Sequence, residues 1–200
     1  MASSEHSFSS SRIEAFSDGV FAIIITIMVL ELRPPEGNTI SDLRPLWPEF
    51  SSYLLSFVYL IIYWNNHHHL LKTVQFTSGA IMWANSHLLF WLSLVPFATA
   101  WLGQSGGDKF PTALYGVSLL MPAIAYYLLQ RAIISTHGTD STLAKALGSD
   151  FKGKISPLLY VLSIVLAFAL PVISYLIFVA VAVLWIVPDQ RIVRELKKEP

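Results

Sequence analysis

The sequence predicts an all-α, polytopic membrane protein with six transmembrane helices per subunit, and three observations carry that prediction. Of 200 residues, 54% are hydrophobic and only 13% are charged, whereas a soluble domain carries about 25% charged residues. The mean hydropathy is +0.57. The apolar residues fall in runs of the length a bilayer demands, roughly 17–25 residues for a hydrocarbon core of about 30 Å. Lys and Arg gather between those runs in a pattern that the positive-inside rule can sort. The net charge is zero and no basic stripe exists to hold phosphates, so no nucleic-acid partner is expected. Cysteine is absent, which removes disulfides and thiolate metal sites.

Residues 1–11 are Ser-rich and too polar to pack, and are read as a mobile N-terminal segment. The first span covers residues 13–32. Glu14 and Asp18 on its amino side, and Leu32-Arg33-Pro34-Pro35 at its end, do not have the form of a cleavable signal. It is therefore a retained helix, stopped by the prolines. A polar loop with Pro45 and Pro48 leads to the second span, residues 50–71. The third, residues 78–102, is set off by Gly79 and by a Gly-rich turn at 103–108. The fourth, residues 111–134, opens with Pro111, which suits a helix's first turn.

The last apolar stretch, residues 157–187, is interrupted by Pro171; it is long for one span and short for two. Charge settles the parity. With six spans and both termini cytoplasmic, Arg12, Lys72, Arg131, Lys145, Lys152, Lys154, Arg191, Arg194, Lys197 and Lys198 lie inside, and Arg33, Arg44 and Lys109 outside. Five spans would export the basic tail. The stretch is thus a hairpin of two thin helices turning near Pro171. The chain divides into the segment 1–11, a six-helix transmembrane domain at 12–188 and a basic cytoplasmic tail at 189–200. The expected location is the cell's inner (plasma) membrane, in contact with lipid.

The first span holds the most informative residues. Arg12 and Asp18 stand at its mouth, where a charge costs roughly 2.5–3.5 kcal/mol on insertion scales and is usually partnered. At 100° per residue, Ile23, Ile27 and Leu30 fall within about 60° of one another, with Phe16 on the same stripe, and Asp18 points about 140° away. Copies of this helix around a symmetry axis would stack the stripe as apolar rings and turn Asp18 into its own subunit. On pattern alone the stripe reads equally as ordinary helix packing. Thr26 lies about 60° from Ile23; its hydroxyl either flanks a constriction or bonds the carbonyl four residues back.

Near the inner end of the second span lies Trp64-Asn65-Asn66-His67-His68-His69. Consecutive helical positions diverge by about 100° and cannot all face one ion, and helical ligand pairs prefer i and i+4. A polar interhelical network is favoured over metal, and an Asp18–His contact there would be charge-assisted. The third span adds Trp83, Asn85, Ser86 and His87 on its inner half, as candidates for holding Asp18 and Arg12. Buried polar groups need such partners. There is no Gly-rich phosphate loop, Gly-x-Ser-x-Gly or His-Glu-x-x-His, and the two acids in the inner half of the first span, Glu14 and Asp18, are no catalytic pair because Glu14 lies near the lip, so neither an enzyme nor a cofactor is expected. Thr-Val-Gly-Tyr-Gly and regularly spaced Arg residues are also missing, which removes a carbonyl filter and a voltage sensor of the usual kinds.

Arg12, Phe16, Ser17 and Asp18 form the pattern Arg-x-x-x-Phe-Ser-Asp, which resembles the first-helix signature of the transmembrane protein 175 family of potassium channels, in particular its prokaryotic members. The six-span layout, the Trp64/Asn65/His patch and the length agree more generically. The resemblance implies a channel for K+ and other monovalent cations, a homotetramer with the first span as pore helix. It places a bulky aliphatic constriction on Ile23, extended by Ile27 and Leu30, with Thr26 at a hydroxyl layer tied to ion preference. Arg12, Ser17 and Asp18 would hold the pore helix in its subunit, with Trp64, Asn65, His67, His68 and His87 as the surrounding polar network. Animal relatives carry two such repeats per chain, whereas the signature occurs once here. The rival readings are a proton- or cation-coupled transporter using Asp18 and a second-span His, and a metal-binding protein or membrane enzyme using the His run.

Overall fold

Backbone polar groups in hydrocarbon must be paired internally, and helices do this in the computed structural model, which describes residues 10–147 and 151–186. α1 (Ser10–Leu30) ends before Pro34 and Pro35. A 3-10 turn (Ile40–Leu46) leads into α2 (Trp47–Leu71), followed by α3 (Gly79–Ser93), α4 (Val95–Gln104) and α5 (Lys109–His137). The short α6 (Thr142–Leu147), α7 (Phe151–Ala167) and α8 (Pro171–Ile186) complete the described chain. Four stretches, 10–30, 40–71, 79–104 and 109–137, are long and apolar enough to cross a bilayer, and α8 is a shorter apolar helix. Most of the segment 1–11 and the basic tail, with Arg191, Arg194, Lys197 and Lys198, lie outside the described residues.

The third span is not the single helix expected over 78–102: it breaks at Leu94. The cause is local. Pro96 has no N–H to offer the carbonyl of Leu92, and a proline disfavours helical backbone at the residue before it. The Leu94 N–H turns instead to the Trp91 carbonyl, at 3.3 Å. The apolar stretch at 157–187 does form a hairpin, turning between Ala167 and Pro171. The Ser174 hydroxyl ties its arms together by donating to the Ser163 carbonyl at 2.7 Å.

Two apolar cores result. One joins Phe21, Ile24 and Met28 of α1 to Leu70 of α2, Leu88 and Leu92 of α3, and Leu129 and Ile133 of α5. The other joins Leu55 and Tyr59 of α2, Ala98 and Leu102 of α4, Tyr115 and Leu119 of α5, Tyr160 of α7 and Phe178 of α8. In the second core the Ser56 hydroxyl meets Thr99 Oγ1 at 2.6 Å and the Tyr115 hydroxyl at 2.8 Å. α2 and α4 approach closely at Gly103, where a Cβ would sit 2.8 Å from Glu49 Cα and 2.7 Å from Ser52 Oγ. Backbone on the facing side cannot yield as a side chain tip would.

The turn between α1 and α2 is pinned by Asp42, whose carboxylate accepts from the Thr39 N–H at 2.8 Å and from its hydroxyl at 2.6 Å. Both bonds favour the ionised form, so they hold the Asp42 carboxyl below its usual pKa. A depressed folded value means that this support is present above the ordinary carboxylate range and is lost as pH falls through the folded pKa.

Gly103→Ala should wedge α2 from α4 and cost about 1–3 kcal/mol, the usual penalty of overpacking, read as a lowered thermal midpoint in detergent; an unchanged midpoint would mean the crossing is looser than described. Protection of the Thr39 amide against hydrogen exchange, relative to its intrinsic rate at each pH, should fall on acidification in the native protein and be low at every pH in Asp42→Ala. Protection that ignores both changes would rule out the Asp42 pin.

Candidate functional site

α1 is two-faced. Ile13, Ser17, Phe21, Ile24 and Met28 recur every three or four residues and are buried, whereas Phe16, Ile23, Thr26, Ile27 and Leu30 are exposed. The exposed fractions are high for such apolar groups: 60% at Ile23, 43% at Ile27 and 76% at Leu30. Exposed apolar residues also occur on other helices, for example Trp83, Phe97 and Val172. On the open side of α1 they share the surface with a hydroxyl. Thr26 Oγ1 donates to the Ala22 carbonyl at 2.7 Å, which leaves its lone pairs to face outward.

The buried side is held by a polar bridge. Ser17 Oγ donates to the Ile13 carbonyl at 2.8 Å and accepts from Asn85 Nδ2 of α3 at 3.0 Å. Asn85 Oδ1 lies 2.7 Å from His67 Nε2 of α2. A carbonyl oxygen only accepts, so this pairing puts the His67 proton on Nε2. All three residues are buried, and the Phe21 ring packs 5.8 Å from that of His67. Three helices thus meet through three side chains.

Two further contacts fasten the flank of α1 to α2. Trp64 Nε1 donates to Asp18 Oδ1 at 2.9 Å. His68 Nδ1 lies 2.8 Å from Glu14 Oε1, with the two side chains 33% and 31% exposed. The pair is ionic when His68 is protonated, and at that exposure its net worth is about 0–1 kcal/mol.

The structure assigns these partners differently from the sequence expectation at several points. Asp18 takes the Trp64 indole, not a histidine, and the histidine that meets an acid is His68, on Glu14. Asn85 serves Ser17 and His67, not Asp18 and Arg12. His87 accepts from Trp91 of its own helix at 2.9 Å and so stands apart from the α1 bridge. Asn65 is half-buried on α2, outside it. Arg12 is exposed at the start of α1. The signal for Glu14 was visible: it is four residues before Asp18, and therefore on the same helical flank. Helix rotation alone could not say which of three consecutive histidines would reach which neighbour.

Comparison with known proteins adds the following. A family model described as endosomal/lysosomal potassium channel TMEM175 matches residues 12–96, a stretch that contains the whole bridge and the open face of α1. A potassium channel of Chryseobacterium sp. (strain P1-3) is 52% identical over 187 residues, covering 94% of this chain and 97% of its own. The crystal structure of a lysosomal potassium-selective channel TMEM175 homolog from Chamaesiphon minutus superposes with a TM-score of 0.77 at 30% identity, over 90% of this chain and 97% of that one. The human endosomal/lysosomal proton channel TMEM175 is 30% identical over 102 residues, 45% of this chain and 20% of that protein.

Asn85→Leu should strand the His67 Nε2–H, leave Ser17 only its Ile13 carbonyl, and cost about 1–3 kcal/mol for the buried group left unpaired, read as a lowered thermal midpoint. Trp64→Phe, at a half-exposed site, should cost much less. Equal shifts in the two variants would show that the bridge is not what anchors α1.

Proposed function

Because the chain belongs to the TMEM175 potassium channel family, we propose that it is a potassium-permeable cation channel, a homotetramer in which α1 of each subunit lines the pore. The observation that carries this reading is the two-sidedness of α1: one side is fixed to α2 and α3 by side-chain hydrogen bonds, and the other leaves Ile23, Ile27 and Leu30 largely exposed. Four copies with that side inward would stack isoleucine and leucine rings about one axis. The subunit is a multi-pass membrane protein. In this proposal it spans six times, α7 and α8 forming the thin last pair, with both termini in the cytoplasm and the domain limits at 12 and 188.

A ring of four Ile23 side chains excludes water when narrow and gates by dewetting. It has little to distinguish potassium from sodium, so selectivity is modest. The Thr26 oxygens, with their protons committed to Ala22, present acceptors alone and so suit a partly dehydrated cation. Asp18, Ser17 and their partners act on the pore at one remove, by holding the helix that forms it. The transporter reading needs an Asp18–His relay, and the Trp64 bond to Asp18 does not favour it.

Ile23→Asn should wet the constriction and raise resting K+ flux into liposomes several-fold, whereas unchanged flux would count against Ile23 as the gate. Asp18→Ala should lower the yield of assembled tetramer and leave the K+/Na+ permeability ratio alone; a changed ratio in a normally assembled channel would overturn the division of labour between the two sides of α1.

A further inference from the structure

A cavity of about 70 Å³ lies on the other side of α2, lined by α2, α5, α7 and α8. It is separate from the pore-facing side of α1 and does not depend on the pore reading. Its walls are mainly aromatic: Tyr59 and Tyr63 of α2, Tyr126 and Tyr127 of α5, Tyr160 of α7 and Trp185 of α8. Most of these rings already have work. Tyr59 donates to the Phe178 carbonyl at 2.6 Å, Tyr126 to the Asn66 carbonyl at 3.1 Å, and Trp185 Nε1 to Ser156 Oγ at 2.8 Å.

The exception is an amide. Gln130 is only 7% exposed, lines the cavity and makes no hydrogen bond with the described residues. No fully buried side-chain polar atom among the described residues is left without a partner, so its carboxamide is not sealed in, and the cavity is the open space it lines. Asn66 stands nearby with its Nδ2 committed to the Ile62 carbonyl at 2.8 Å and its Oδ1 unused. A buried polar group without a partner is costly, and cavities with apolar walls and a few convergent polar groups are the usual form of a ligand site.

The chemistry narrows the ligand. Asn66 Oδ1 and Gln130 Oε1 both call for donors, and Gln130 Nε2 calls for an acceptor. A carboxylate brings no donor. An ammonium would enter without a counter-charge, since no acid among the described residues lines the cavity, and would approach Lys152, whose Nζ lies 5.8 Å from the Trp185 ring centre. An uncharged amide satisfies both demands, and aromatic walls stack on a planar ring. A cavity of ~150 Å³ holds a whole benzene, so this smaller one takes the amide head and the near edge of the ring. The rest lies at the mouth against Tyr127, which is 57% exposed. We infer that this cavity is a binding site for a neutral, planar aromatic carboxamide, read by Gln130 and Asn66.

Saturation-transfer NMR on the full-length channel in nanodiscs, with benzamide as probe and benzoate and benzylammonium as charged isosteres, tests this. Benzamide should bind the native protein, the two ions at least tenfold more weakly, and Gln130→Leu should weaken benzamide at least tenfold at an unchanged thermal midpoint. Should that variant fail to fold, Tyr127→Ala at the exposed mouth should weaken benzamide without unfolding. No benzamide signal above empty nanodiscs, equal binding by either ion, or binding indifferent to whichever of these variants folds, overturns the assignment.

Discussion

The Asn85 carboxamide gives its N–H to Ser17 and takes one from His67 where none of the three has water as an alternative, and the placement of α1 follows from that exchange. In a low-dielectric interior such a bond is strong, and its absence costly. Sliding α1 by one residue would carry Ser17 about 100° around the axis and leave Asn85 Nδ2 without its acceptor. The bridge therefore sets rotation and depth together. The softer contacts, Trp64 to Asp18 and His68 to Glu14, add direction at the rim. What α1 shows to the outside is the complement of what the bridge draws in.

How much of this could be read from the sequence depended on whether the signal was periodic or relational. Helix content and the main breaks were legible because apolar runs and prolines act locally: Pro34 and Pro35 lie just past the end of α1, and the hairpin turns at Pro171. Pro96 carries an equally local signal, although hydropathy runs smoothly across residue 94. The grouping of Ile23, Ile27 and Leu30 on one side of α1 followed from the 100° geometry. Partner identity did not. Asn85 was evident as a buried amide in need of company, yet its choice of Ser17 and His67 depends on how three helices cross, which no single-helix pattern encodes. Gln130 and the tyrosines around it come from helices far apart in sequence, so no local pattern groups them.

α2 joins these themes. Its polar run splits by position: His67 points toward α1 and α3, His68 toward Glu14, and Asn66 toward the tyrosine-walled cavity beside α5. A consecutive polar stretch that would be unwelcome on a lipid-facing helix is tolerated here in part because Asn66, His67 and His68 turn to different protein neighbours. The same helix supplies Ser56 and Tyr59 to the second core, so it contributes along its whole length to both halves of the subunit.

The break at Leu94 has a mechanical consequence. Leu92 and Val95 belong to the core shared with α1, whereas Ala98 and Leu102 belong to the core shared with α8, so the chain changes allegiance within one turn of the discontinuity. α2 and α5 run unbroken through both regions, so the two are braced across the interruption by those helices and not by the third span.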